Sequence, residues 1–253
     1  MARIPSLLEV TLGVRSKIYG SFDCRTDIIA IHDARLMYFA VPKVANSSFK
    51  RVLAQAIPGL PASQRAKSYG ANNTVFSDPA IRRWLRKHRV LLCKHQVPAY
   101  SDYRRVAFVR NPWDRLVSCY KQKLDHQIKQ NGRLGGTARS LADAGLYKPD
   151  ITFTEFVHAV AQIPDPRSNR HFRSQSSFLV DHRGEPLYSE LRFFEELDAG
   201  FRYLRDRLGR PELELPHLKK TERHDYRAYY TQETADIVAQ RYARDLELFG
   251  YTF

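Results

Sequence analysis

Three short runs of unbroken apolarity, LMYFAV at 36–41, VLLC at 90–93 and RVAFV at 105–109, restrict the folds open to this chain more than any other feature. A strand covered on one face alternates apolar with polar residues, whereas a strand covered on both faces does not. These runs therefore predict the interior of a largely parallel sheet. Two of them lead through a turn into a helical stripe. Phe49, Val52, Leu53 and Ala56 follow the first at i, i+3, i+4, i+7, and Trp113, Leu116, Val117, Tyr120 and Leu124 follow the third. Parallel strands need such crossovers, so an α/β chain with two strand–loop–helix units is expected.

Other signals fill in the frame. Thr152 and Glu155 have capping-box spacing and predict a helix from 153. A further helix is expected over about 197–208, and a long C-terminal one near Thr231, with Val238, Tyr242, Leu246 and Phe249 on one face. The stretches 58–80 and 126–150, rich in glycine, proline and asparagine, are candidate mobile lids or substrate loops. There is no internal repeat or convincing linker, so residues 1–253 read as one domain, with 1–35 as an N-terminal extension.

Charge narrows the partners. Forty-one Lys and Arg stand against 27 Asp and Glu, a net +14, which suits nucleic acid, anionic lipid, acidic glycan or a nucleotide. Cys24, Cys93 and Cys119 are odd in number and lack CxxC spacing, which reads as three reduced thiols. No stretch approaches the ~18 apolar residues of a membrane span. The expectation is a cytoplasmic protein without stable membrane insertion, and no ligand cluster argues for a metal.

The loop after the first run, VPKVANSSFKR at 41–51, has the make-up of a phosphate cradle. Lys43 ends the strand and Ser47 and Ser48 begin the helix, where unpaired N–H groups and the macrodipole favour an anion. Pro42, Lys43, Val44, Ala45, Asn46, Ser47 and Ser48 form the candidate loop. It lacks the glycines of a GxxxxGK[ST] motif, which disfavours ATP or GTP. The plainer alternative is that Asn46 or Ser47 caps the helix and Lys43 is solvated. In VAFVRNPWDRLVSCY, 106–120, Arg110 ends a second strand and Ser118 lies two turns into the following helix, so a guanidinium and a hydroxyl can grip one phosphate. Arg115 is expected to form a salt bridge on the helix surface.

PKVANSSFKR together with RNPWDRLVS resembles the paired motifs of the family-2 carbohydrate sulfotransferases, over roughly 36–251. NRHFRSQ at 169–175, FFEEL at 193–197 and YARDLELFGY at 242–251 extend the likeness. The resemblance implies a soluble, bacterial-type member with a P-loop-like three-layer α/β fold and a mainly parallel sheet. It also implies PAPS (3′-phosphoadenosine 5′-phosphosulfate) as sulfuryl donor, with 3′-phosphoadenosine 5′-phosphate as product. The first loop would then hold the phosphosulfate, with Lys43 at the leaving group, and Arg110 and Ser118 would hold the 3′-phosphate. The family's Cys-Pro-Cys element is replaced by FLVDHRG, so the acceptor assignment does not transfer.

His95 directly follows the second run, which places it at the same sheet edge as Lys43 and Arg110, where ligands of open α/β sheets collect. It is the first candidate for general base, with His171 the runner-up. Asn169, Arg173 and Gln175 bind the acceptor, close over the donor, or belong to a polar loop tying two elements together, and His171 is a further candidate for binding the acceptor. The run RRWLRKHR at 82–89 either guides an acidic glycan or is a solvated helix face. The expected function is sulfuryl transfer from PAPS to a carbohydrate hydroxyl, acidic polysaccharides being among the candidate acceptors. Glycolipid or protein-tyrosine sulfation on the same scaffold is the alternative. Nucleic-acid binding is disfavoured, since neither a reading helix nor RNP-like aromatics stand out.

Overall fold

The computed structural model describes residues 26–61, 63, 74–121, 134–215 and 225–253. Among them, five strands form one sheet in the order β3-β1-β2-β4-β5: β1 Ile28–Ile31, β2 Leu36–Phe39, β3 Leu91–Leu92, β4 Arg104–Val109 and β5 Glu190–Phe193. β2, β4 and β5 are parallel, while β1 pairs antiparallel with both β2 and β3. β3 therefore runs in the same direction as β2, and only β1 is reversed. The carboxyl ends of four strands and the amino end of β1 share one rim.

The three apolar runs are strands, and β2 and all of β4 from Val106 onward are buried, as continuous apolarity requires. β1 falls inside the stretch expected to be an extension and is an interior strand of the mixed sheet. β5 carries half-buried residues at the sheet edge. Neither had the signal of a long apolar run.

Helices α1 Asn46–Gln55, α2 Pro79–Lys87 and α3 Pro112–Tyr120 are followed by α4 Gly136–Ala142, α5 Phe153–Gln162 and the single turn α6 Ser176–Leu179. Then come α7 Leu197–Arg207, α8 Gln232–Arg241 and α9 Ala243–Phe249. α5 starts on the anticipated capping box, Thr152 with Glu155. α4 overturns the irregular reading of 126–150 in its second half, and α2 begins within the last residues of 58–80. The expected single C-terminal helix is interrupted at Tyr242 (φ −113°), whose buried ring is anchored by its hydroxyl donating to the Phe172 carbonyl at 2.6 Å. Cys93 is disulfide-bonded, which corrects the reading of three reduced thiols, and Cys119 is a buried thiol. Leu124 and Cys24 lie outside the described residues.

One apolar cluster wraps the sheet with α1, α2 and α7; a second joins α3, α4, α5 and α8 around Trp113, Phe156, Phe172 and Tyr242. In the first, Gly200 of α7 packs against β4 so closely that an added Cβ would stand 2.5 Å from Cε1 of Phe108. Gly200→Ala is expected to lose about 1–3 kcal/mol of stability through overpacking, measured by urea unfolding. An unchanged midpoint would show that α7 shifts at no cost.

Candidate active site

The two loops meet on the rim. β2 runs through Ala40 and Val41 into the first loop, where Lys43 and Ala45 adopt φ of 75° and 58°. These left-handed turns curl the backbone as glycines do in related phosphate loops, at a cost of about 1–2 kcal/mol each. Strain of this kind collects at functional sites. α1 then starts at Ala45 with no side-chain cap, so the plain capping role for Asn46 or Ser47 is not what is seen. Asn46 instead accepts from the buried Tyr38 hydroxyl at 3.3 Å. Ser48 is buried and Ser47 exposed at this helix start.

α3 begins differently. Asn111 caps it by accepting from the Trp113 N–H at 3.0 Å, and its own N–H donates to Glu195 at 2.8 Å. Its positive charge toward an anion comes from Arg110. That guanidinium makes a side-on pair with Asp114, Nε and Nη2 each at 2.7 Å, and stacks 4.2 Å from the Phe194 ring. Its Nη1 donates to the Lys43 carbonyl at 3.2 Å, while Lys43 Nζ donates to the Ser118 carbonyl at 2.6 Å. Each loop thus ties the other. Three of the five N–H groups of Arg110 are engaged, which leaves two for a ligand oxygen. The i, i+4 spacing of Arg110 and Asp114 was a signal for this pair that the sequence reading did not use.

Behind the rim lies a second network. The Gln175 amide, 0% exposed, accepts from the Arg110 N–H at 3.0 Å and donates to the Arg110 carbonyl at 2.8 Å, gripping that residue like a strand partner. The N–H groups of Gln175 and Ser176 both donate to the buried carboxylate of Asp245, at 2.7 Å each. Burial pushes the Asp245 carboxyl above the usual range, against those two bonds and the nearby Arg115 charge. Arg115 is not on the surface: it is 1% exposed and its Nε donates to the Pro42 carbonyl at 3.1 Å. Gln175 is therefore a clamp and not an acceptor contact. Arg173 likewise ties its loop, Nη2 donating to the Ser168 carbonyl at 2.7 Å. The tying alternative describes both. Asp245 went unnoticed in the sequence, although it shares the periodic face of Val238, Tyr242 and Phe249.

The histidines approach the rim from two directions. His95 lies exposed in a 3₁₀ turn, Lys94–Ala99, directly after β3. That turn is anchored by Lys94, whose Nζ donates to the carbonyls of Ser177 and Val180 at 2.6 and 2.7 Å. β1 separates β3 from β2, an offset of about 10 Å at ordinary strand spacing. The segment of His171 crosses the rim: Arg170 lies 3.9 Å from Asp27 at the start of β1, and Gln175 sits on Arg110 at the end of β4. Between those anchors is the end of β2. His171 Nδ1 is 2.7 Å from Asn169 Oδ1, which fixes the ring. Among the described residues no His, Cys, Asp or Glu cluster suits a metal.

The fold is a mixed α/β sheet with two adjoining strand–loop–helix units on one rim, the carboxyl edge at which ligands of open α/β sheets collect. Residues 26–252 match the Sulfotransferase family, and the chain belongs to it. Over 251 residues it is 27% identical to carbohydrate sulfotransferase 14 of Danio rerio, covering 88% of this chain and 62% of that protein. It is 25% identical to human carbohydrate sulfotransferase 9, covering 84% and 46%. A 92-residue stretch is 35% identical to carbohydrate sulfotransferase 8 of Mus musculus, covering 36% and 20%. The chain thus spans about half to three-fifths of the length of the first two relatives. No solved structure matches it.

Proposed function

We propose that this chain transfers a sulfuryl group from PAPS to a carbohydrate hydroxyl. The observation that carries the reading is the meeting of the two loops, with Arg110 on the Lys43 carbonyl and Lys43 on the Ser118 carbonyl. A nucleotide with a 5′-phosphosulfate and a 3′-phosphate needs two anion sites that close together. The residues fit that need. The first turn of α1, with Ser47 and Ser48, would hold the phosphosulfate, and the two remaining N–H groups of Arg110 with Ser118 would hold the 3′-phosphate.

Bound there, the donor would supply an activated sulfuryl group. Lys43 stations positive charge where the departing phosphate oxygen gains negative charge. A rim histidine takes the proton of the acceptor hydroxyl. His95 is the proposed base, supported by its place at the end of β3. The ring hold of Asn169 on His171 favours that residue as the second reading. The names of the relatives support a carbohydrate acceptor.

Thermal unfolding with 3′-phosphoadenosine 5′-phosphate tests the donor site. At a hundredfold excess over Kd the wild type gains about 2.7 kcal/mol, and Lys43→Ala and Arg110→Ala lose most of that gain. Stabilisation by oligonucleotides alone would overturn the reading. Incubation with labelled donor and a panel of glycans, glycolipids and tyrosine peptides, read by mass spectrometry, then decides the acceptor class.

A further inference from the structure

We infer that the outer face of α2 is a docking track for a polyanionic glycan, leading into the rim, so that the acceptor is a chain bearing carboxylate or sulfate groups. This rests on the sulfotransferase reading and deepens it. α2 descends from the rim antiparallel to β3, and its start is fixed there by Arg82, which donates to the Asp27 carboxylate at 2.9 Å. Arg82 and Arg86 stand one turn apart on α2, about 6 Å at helical rise, and Arg89 follows just past its C-terminus in a left-handed turn (φ 54°). Arg83 and Lys87 flank this row, and Arg83, Arg86, Lys87 and Arg89 are all exposed.

The compensation seen elsewhere is missing on this helix. α4 pairs Arg139 with Asp143 and α9 pairs Arg244 with Glu247, each one turn apart. From 79 to 89 there is no acid, and Arg82–Arg86 and Arg83–Lys87 are like-charge i, i+4 pairs, which cost helix stability. An anionic partner offsets that cost. At the rim the row continues in Arg170, half exposed and 3.9 Å from Asp27, one residue before His171. The buried Asp27 answers three cations, Lys50, Arg82 and Arg170, so this end of the track keeps a positive excess.

A glycan fits this surface better than a nucleic acid. Single-stranded nucleic acid needs exposed aromatic faces between the cations. The one aromatic residue of α2, Trp84, has its ring stacked 4.1 Å from His88.

The test is a variant with Arg83→Gln, Arg86→Gln, Lys87→Gln and Arg89→Gln, which leaves Arg82 and both loops intact. The wild type is retained on an immobilised sulfated polysaccharide, and the variant elutes at clearly lower salt. KM for a polyanionic acceptor rises about tenfold, four exposed contacts each adding a modest share, while kcat stays. Stabilisation by 3′-phosphoadenosine 5′-phosphate is the same in both proteins, which separates this result from failure of the donor site. Equal retention of both proteins would overturn the track. So would displacement by single-stranded DNA but not by polyuronate or sulfated chains.

Discussion

His95→Ala is expected to slow sulfuryl transfer by about two to four orders of magnitude, the range that general-base catalysis contributes, with product-nucleotide binding unchanged. The argument is positional. β3 runs with β2 and β4 because β1 between them is reversed, so the residues after Leu92 emerge on the rim that carries Lys43 and Arg110. Lys94 pins the turn by two carbonyl bonds, so the adjacent imidazole is carried on a fixed segment. His95 takes no part in the contacts between Lys43, Arg110 and Ser118, so its loss leaves the donor cradle in place. His171→Ala serves as the comparison, with a smaller expected loss of rate. Single-turnover rates and isothermal titration with the product nucleotide read both variants. Full turnover in His95→Ala with a collapse in His171→Ala would move the base to the residue that Asn169 orients.

Asp27→Ala is expected to remove about 3–5 kcal/mol of stability, because it strands a buried lysine without its counter-charge. Asp27 is 3% exposed and accepts from Lys50 at 2.7 Å and Arg82 at 2.9 Å. Burial alone would raise its carboxyl, but the Lys50 and Arg82 charges and bonds outweigh burial and hold it well below the usual carboxylate range. Lys50 is pushed down by its own burial, against the pull of Asp27. A carboxylate whose folded pKa lies below its unfolded value of about 3.9 adds stability that is fully present above that value. The contribution is lost as pH falls from about 4 toward the folded pKa. Urea unfolding from pH 7 to pH 3 should show wild-type stability falling in the acid range, with a shallower fall in Asp27→Ala. Equal stability of the two proteins at pH 7 would refute the account.

Much of the frame was legible because burial on two faces leaves an unbroken apolar run, and β2 and β4 have one. α1, α3, α5 and α7 were legible from 3.6-residue periodicity or a capping box. β1 was missed because IIAI is only four residues long and its reversed direction breaks the expected parallel order. β5 was missed because an edge strand reading ELRF is half polar. The positions of the loops were legible too, since a lysine, two serines and an arginine stand where strands pass into helices. Their companions were not. Gln175 and Arg110 are 65 residues apart, and Asp27 and Arg82 are 55.

By itself the sequence determined an α/β chain with two strand–loop–helix units and family motifs over most of its length. These follow from local physics: side-chain periodicity, apolar runs and the donors at helix starts. Only the tertiary structure decided that Arg115 is buried beneath Pro42, that Gln175 clamps Arg110, and that Asp27 gathers three cations beside the site. Charged and amide side chains leave water only when partners from distant segments arrive together, and that pairing is a property of the assembled rim.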